Sequence, residues 1–437
     1  MGKIFFICLP AYGHVNGTLP TLKILVERGN EVICYCREDF RRHFEEAGCT
    51  FREIPYPFNN FNSKPHGNNV NKSILKTILN YAWQTLPKII ARFMGKNPKH
   101  LMHTVVSTAD PGVDMLNSVR EWLPDFLKDI ERENPDCLIE DYMSPFGRFV
   151  KAATDLPIIV TWPTFCHRWM LWYPRWLLAL LLRLKAQKSW ARYKELSVYL
   201  SELYHVPVLE LDDLFDRNNG NLNLIFFPEQ LDPFKQNYED NCKHVGISVI
   251  NDSFGSEHFS FDKLNNKKVI YISIGTVFND NLKFYKKCLQ SLGEKEYVVV
   301  MSIGDKIATK ALGNIPDNFI VQSYVPRPAI LERASLFITH GTSNAIAESL
   351  YYRVPMLLYP QAYDQFISTE AAANSGIGVL LRRNFSIVEM SQSVEYIMTN
   401  LSYYLDRIDK IRTTILDGEC RAADFVQKFI PDKKHEK

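Results

Sequence analysis

The chain carries almost no excess of either charge. Its 51 lysines and arginines stand against 49 aspartates and glutamates, a formal net charge of +2 over 437 residues. With basic residues scattered among acids, there is no basic stripe of the kind that binds nucleic acid. Long hydrophobic runs are also missing. In the most apolar segment, Phe165 to Leu184, the uninterrupted run Trp176 to Leu182 falls far below the roughly 20 residues that span a bilayer. There is no repeat at solenoid periods. No Gly-x-Gly-x-x-Gly turn follows the first apolar run, which argues against a nicotinamide-dependent oxidoreductase. Nine cysteines, an odd number without a repeating spacing, suggest reduced thiols, and Cys34 and Cys36 read as strand residues. The first residues lack the long apolar core and small-residue cleavage site of a secretory signal. The expectation is a cytoplasmic protein, a monomer or weak dimer.

What is present is a regular alternation of strand and helix. Lys3 to Leu9 reads as a buried strand; Leu19, Leu22 and Val26 recur at helical spacing; Gly29 follows the helix; Glu31 to Tyr35 is the next strand. This βαβ pattern starts a parallel sheet. The pattern returns at Pro135 to Asp141, Leu224 to Phe227, Val269 to Ile274, Tyr297 to Met301 and Phe319 to Gln322. Helical periodicity marks Ile74 to Phe93, Val113 to Glu131 and Val388 to Phe429. Pro55 to Ser73, rich in Asn, Pro, Gly and Ser, reads as an irregular loop. A polar stretch at about 234 to 260 reads as a linker between two α/β units.

The most informative stretch is Leu336 to Gln365. It reads as strand, tight loop, helix and strand, with the turn at His340-Gly341-Thr342-Ser343 and a helix from about Asn344 that ends before Val354-Pro355. An open helix N-terminus presents unpaired N–H groups and about half a positive charge, so this loop suits a phosphate, with His340 as a further donor. Asn344 and Glu348, four residues apart, share a helix face, and a carboxylate one turn beyond such a loop suits ribose hydroxyls. Open α/β sheets bind ligands beyond the carboxyl ends of their strands, which brings Asp364 and Gln365 toward the same crevice, where they suit a sugar. The plain alternative is an ordinary βαβ unit with a capped helix.

The ordered set Tyr324-Val325-Pro326, Phe337-Ile338-Thr339-His340-Gly341, Asn344, Glu348, Val354-Pro355, Pro360 and Asp364-Gln365 resembles the donor signature of the family 1 glycosyltransferases. The likeness is greatest to the bacterial macrolide and natural-product enzymes that use UDP-sugars. It implies a GT-B architecture, two Rossmann-like doubly wound domains facing a cleft. The implied division is residues 1–240 for the acceptor, 241–410 for the nucleotide-sugar donor, and 411–437 for a helix crossing back and a charged tail. By the same resemblance His14, in Gly13-His14-Val15-Asn16, is the general base toward the acceptor hydroxyl, and Asp141, rather than Glu140, orients it. Ser273, Gly275 and Thr276 belong to a strand-to-loop turn near the donor phosphates. Tyr324, followed by Val325, stacks on the nucleobase; His340, Gly341, Thr342, Ser343 and Asn344 meet the diphosphate; Glu348 meets the ribose; Asp364 and Gln365 meet the sugar.

The implied reaction is inverting transfer of a sugar, with glucose expected, to a hydroxyl of a hydrophobic small molecule. It needs no cofactor beyond the UDP-sugar and no metal, and no Asp-x-Asp pair is present to hold one. Three residues depart from the pattern. Gly17 stands where proline is usual and predicts a looser helix start. Thr342 replaces a second glycine and sets a Cβ where backbone approaches phosphate. Arg327 replaces the common glutamine after Pro326. The altered loop leaves a catalytically silent nucleotide-binding protein as one alternative. The basic residues around Trp169 to Arg192 leave another, a lipid glucosyltransferase in peripheral contact with a membrane, competing with a buried helix or an acceptor wall.

Overall fold

A computed structural model describes residues 2–54, 98–166, 187–210, 220–249, 259–276, 278–361 and 364–431, with side chains described from residue 112 onward in the helix that begins at Pro98. The expected loop at Pro55 to Ser73, the helix at Ile74 to Phe93, most of the apolar segment Phe165 to Leu184, part of the linker and nearly all of the charged tail lie outside the described residues.

Two parallel sheets account for every described strand. The first has seven strands in the order β3-β2-β1-β4-β5-β6-β7. These are β1 (Lys3–Ile7), β2 (Glu31–Cys36), β3 (Thr50–Glu53), β4 (Cys137–Asp141), β5 (Ile158–Trp162), β6 (Leu222–Ile225) and β7 (Cys242–His244). The second has six in the order β10-β9-β8-β11-β12-β13. They are β8 (Val269–Ser273), β9 (Val298–Ser302), β10 (Phe319–Gln322), β11 (Ala334–Thr339), β12 (Met356–Leu358) and β13 (Gly378–Leu380). Parallel sheets need cover on both faces, so their central strands read as unbroken apolar runs. Ile4 through Ile7 and Val269 through Ile272 are accordingly buried along their whole length. Cys34 and Cys36 are buried in β2, the strand position read for them. This is the GT-B arrangement of two Rossmann-like units. The first sheet takes in Cys242–His244, so its last strand lies just beyond residue 240.

Each sheet reverses its order at one place, between β1 and β4 in the first and between β8 and β11 in the second. At such a switch point the loops leave in opposite directions and open a crevice beyond the strand ends. The helices at these crevices are α1 (Tyr12–Glu27) and, in the second unit, the helix Ser343–Tyr351. His14 lies in the first turn of α1 rather than in a loop before it. Gly17 is inside α1, where an added Cβ would meet Pro163 at an ordinary 3.7 Å.

Chain order adds α2 (Arg41–Glu46) and α3 (Pro98–Glu133). The sequence pattern starts this helix at Val113, after Pro111. The structure carries it through Pro111 and Pro124. An interior proline costs about 3 kcal/mol, and burial of one apolar stripe, Met115, Leu116, Val119, Leu123, Phe126 and Ile130, opposes that cost. Phe126 is the hub: its ring centroid lies 4.9 Å from Tyr35, 5.9 Å from Phe5, 5.8 Å from Trp122 and 6.1 Å from Phe146.

The remaining described α-helices are α4 (Gly147–Ala153), α5 (Gln187–Tyr204), α6 (Leu282–Leu292), α7 (Arg327–Leu331), α8 (Ser343–Tyr351), α9 (Gln365–Asn374), α10 (Ile387–Thr399), α11 (Leu401–Arg412) and α12 (Gly418–Gln427). After the second unit the chain crosses back. Ala422, Ala423 and Val426 of α12 join Val15, Leu22 and Leu25 of α1 in one buried cluster. Asn30 Nδ2 donates to Gln427 Oε1 at 3.1 Å, and Arg421 Nε donates to the Val245 carbonyl at 2.7 Å. No described helix is long and apolar enough to cross a membrane.

Truncating the hub should be expensive. Phe126→Ala is expected to cost about 3–5 kcal/mol, whereas Val388→Ala at an exposed site should stay within about 0.5 kcal/mol. Urea unfolding followed by fluorescence measures both, and equal losses would remove Phe126 as the hub.

Candidate active site

The first crevice brings β1, α1 and β4 together. β4 ends in two acids that point to opposite faces, as alternation along a strand requires. Glu140 is buried and accepts a 2.7 Å hydrogen bond from the Gly147 N–H at the start of α4. It is the helix cap of the plain reading, though not a solvated one, and burial pushes its carboxyl up to about 8. Asp141 turns the other way. Its Oδ2 lies 2.8 Å from His14 Nδ1, and its Oδ1 accepts from the Met143 N–H at 2.9 Å.

Asp141 is fully buried, while His14 keeps 17% of its side-chain surface exposed. Burial alone would lower the His14 pKa, but the Asp141 charge and hydrogen bond, with Asp364 farther off, outweigh it and raise the value above 6.5. A carboxylate at Nδ1 holds the neutral ring as the Nδ1–H tautomer and leaves the lone pair on Nε2. The ring stacks on Tyr142 at 5.7 Å, and Tyr142 stacks on Trp162 at 4.7 Å. The Trp162 Nε1–H is satisfied by Asn223 Oδ1 at 3.0 Å. His14 is thus held at one edge by a carboxylate and on one face by aromatic rings.

The second crevice holds the turns after β8 and β11. Gly275 has φ +84°, and an added Cβ would lie 2.5 Å from His340 Nε2. Gly341 has φ +71°, and its Cβ would lie 2.2 Å from Thr369 Cγ2. Both positions require glycine. Thr342 does not: at φ −65° and ψ 161° it is an ordinary extended N-cap. The turn therefore keeps its geometry with a threonine there. His340 is buried, and burial together with the Arg327 charge lowers its pKa to about 3. Its Nδ1 lies 3.3 Å from Thr339 Oγ1, which accepts from the Gly341 N–H at 3.4 Å. With the Thr339 hydroxyl donating to Nδ1, the neutral ring carries its proton on Nε2, beside Gly275; with the other tautomer the hydroxyl accepts instead. The first N–H groups of α8 lack intrahelical partners, as at every helix start.

Other residues singled out in the sequence are placed less uniformly. Ser273 ends β8 and is buried, while Thr276 is exposed. Tyr324 follows β10 with 61% of its surface exposed, whereas the Val325 side chain packs on the core. The Asn344 amide reaches across to the Gly13 carbonyl at 2.6 Å. Glu348 is in ion-pair contact with Arg327. Gln365 is buried and its Oε1 accepts from the Gln361 N–H at 2.9 Å, bracing the loop that carries Asp364.

Asp364 itself meets the other domain. Its Oδ2 accepts from Thr164 Oγ1 at 3.3 Å, and Ser343 Oγ donates to the same Thr164 oxygen at 3.0 Å. With the Asn344 bond, these contacts bring the two crevices into one cleft. Burial raises the Asp364 carboxyl, opposed by its hydrogen bonds and by His14. Thr164, Tyr142 and Trp162 were not singled out from sequence. Thr164 lies just beyond the carboxyl end of β5, so the rule that marked Asp364 would have marked it too. Tyr142 follows Asp141 directly, but no residue pattern announces its stacking.

Residues 286–417 match the C-terminal domain family of erythromycin biosynthesis protein CIII-like proteins. Over its whole length the chain is similar to two Bacillus subtilis proteins. It is 24% identical to an uncharacterized UDP-glucosyltransferase, YojK, covering 99% of this chain and 98% of that one. It is 26% identical to the NDP-glycosyltransferase YjiC, covering 98% and 97%. Among solved structures, the kitacinnamycin glycosyltransferase superposes with a TM-score of 0.74 at 21% identity, covering 98% of this chain and 99% of the other.

The His14 pKa is open to direct measurement. In an NMR titration of ring-labelled protein, His14 should lose its proton above pH 6.5, and Asp141→Asn should move that transition to lower pH. A transition unmoved by the substitution would remove Asp141 as its cause.

Proposed function

We propose that this chain is a family 1 glycosyltransferase of GT-B fold that moves glucose from UDP-glucose to a hydroxyl of a hydrophobic small molecule, with inversion and without a metal ion. Transfer of a sugar from a nucleotide donor is the activity of the family; the donor sugar, the acceptor class and the residue roles are the proposal. The observation that carries it is the His14–Asp141 pair, 2.8 Å apart, in the same cleft as the glycine turns at Gly275 and Gly341. Glucose is favoured by the likeness to YojK, whose name specifies a UDP-glucosyltransferase. An apolar acceptor is favoured by the half-buried Tyr142 ring stacked beside His14.

The reaction is a single displacement. His14 Nε2 takes the proton of the acceptor hydroxyl while that oxygen bonds to the anomeric carbon. The bond from that carbon to the diphosphate oxygen breaks on the opposite face, and its electron pair leaves with UDP. Asp141 stabilises the imidazolium that forms. Negative charge growing on the diphosphate meets the open N–H groups at Thr342 to Asn344 and the ring of His340. A neutral His340 suits this task, since it donates without titrating near neutrality.

Around this centre, Ser273, Gly275 and Thr276 border the phosphates, Tyr324 stacks its open face on the uracil, and Val325 supports it from the core. Glu348 takes ribose, and Asp364 takes sugar hydroxyls, trading its bond to Thr164 for a ligand bond. Gln365 acts through the loop it braces.

UDP release from UDP-glucose, measured with phenolic and macrolide acceptors, tests the proposal. Turnover should depend on acceptor, persist in EDTA and fall by about 10²–10⁴-fold in His14→Ala. Near-normal turnover in that variant would defeat the assignment of the base. A strict divalent-metal requirement would defeat the metal-free account of the diphosphate.

A further inference from the structure

Arg327 opens α7 directly after Tyr324-Val325-Pro326, and its Nη2 is in ion-pair contact with Glu348 Oε2 from the middle of α8. The two side chains keep 29% and 23% of their surface exposed, so the pair remains within reach of a ligand. Two of its atoms do not. Arg327 Nε and Glu348 Oε2 are shut off from solvent and make no hydrogen bond among the described residues. The guanidinium is fixed from a second side, 5.4 Å over the Phe337 ring, which itself stacks on Tyr271 at 4.9 Å. The Arg327–Glu348 contact is therefore built into the packing between β8, β11 and α8.

We propose that Arg327 sets how the ribose of the donor is read, so that Glu348 takes one of its two vicinal hydroxyls rather than both. The inference rests on the nucleotide-donor reading above. A free carboxylate offers two oxygens, and neighbouring ribose hydroxyls can donate one to each. Here Oε2 is held by Arg327 and withdrawn from solvent, which leaves only Oε1 for the ligand. Arginine has no acceptor with which to replace the lost oxygen. It can only donate, and the hydroxyl best served is the one that already donates to Oε1. That hydroxyl gains both an acceptor and a donor, while its neighbour meets no acceptor on this pair. The ligand class that follows is a nucleoside diphosphate whose sugar keeps one hydroxyl of the pair, so that one of the two monodeoxy nucleotides is bound about as well as the ribonucleotide.

Calorimetric titration of the native protein with UDP, 2′-deoxy-UDP and 3′-deoxy-UDP tests this. One deoxy analogue should bind within about threefold of UDP and the other should be weaker by about tenfold or more, as expected for losing a hydrogen bond to a charged group. Arg327→Gln, which releases Oε2, should make both analogues weaker than UDP by about tenfold or more. Native protein that discriminates against both analogues, or against neither, would overturn the role given to Arg327 while leaving the donor reading intact. Absence of saturable UDP binding would overturn the donor reading and this inference with it. The native comparison stands by itself if the variant does not fold.

Discussion

One hydrogen bond organises the cleft side of the first domain, that between His14 Nδ1 and Asp141 Oδ2 at 2.8 Å. It joins a helix that follows β1 to the last residue of β4, two strands that are adjacent only because the sheet order reverses between them. Removing Asp141 from solvent would be costly without partners. The Met143 N–H and the His14 ring supply them, and the bond raises the imidazole pKa despite burial. Position, tautomer and basicity of His14 thus share one cause. The Tyr142 and Trp162 rings then limit how far the imidazole can swing.

The two crevices form a single site only because the halves of the chain are tied together. Asn344 reaches Gly13, and Thr164 accepts from Ser343 while donating to Asp364. These are few and polar, the kind of contact that a ligand can exchange for its own. Behind them, α12 packs apolar residues into the first domain and carries the permanent attachment. The two halves are thus joined by a few polar bonds across the cleft and by one apolar attachment behind it.

Much of this was legible in the sequence, because each property involved is local. Unbroken apolar runs announced parallel strands, proline and glycine marked the ends of α8 and α1, and the strand-end rule drew attention to Asp364. Departures from the familiar signature were harder to weigh. Thr342 replaces a glycine whose left-handed backbone turns out not to be required, since Gly341 supplies it. Gly17 lies within a helix whose start is set elsewhere. Asn344 and Gln365 suit a ligand by type, and in the structure the first bonds across the cleft to Gly13 while the second accepts from the Gln361 N–H. A side chain's type says what it can bond, while its partner depends on what the fold brings within 3 Å.

By itself, then, the sequence determined the strand and helix alternation and the residue types at the strand ends, and its resemblance to a known family implied the two-domain GT-B plan. Periodicity and chain stiffness act over a few residues, so a few residues suffice to read them. The resemblance already pointed to Asp141 rather than Glu140 as the partner of His14, and the tertiary structure shows that contact; only the tertiary structure decided that Thr164 links both halves and that Arg327 holds Glu348. Those contacts span 127, 200 and 179 positions for His14–Asp141, Thr164–Asp364 and Thr164–Ser343. They depend on strand order, twist and the path of connections, which no local pattern encodes.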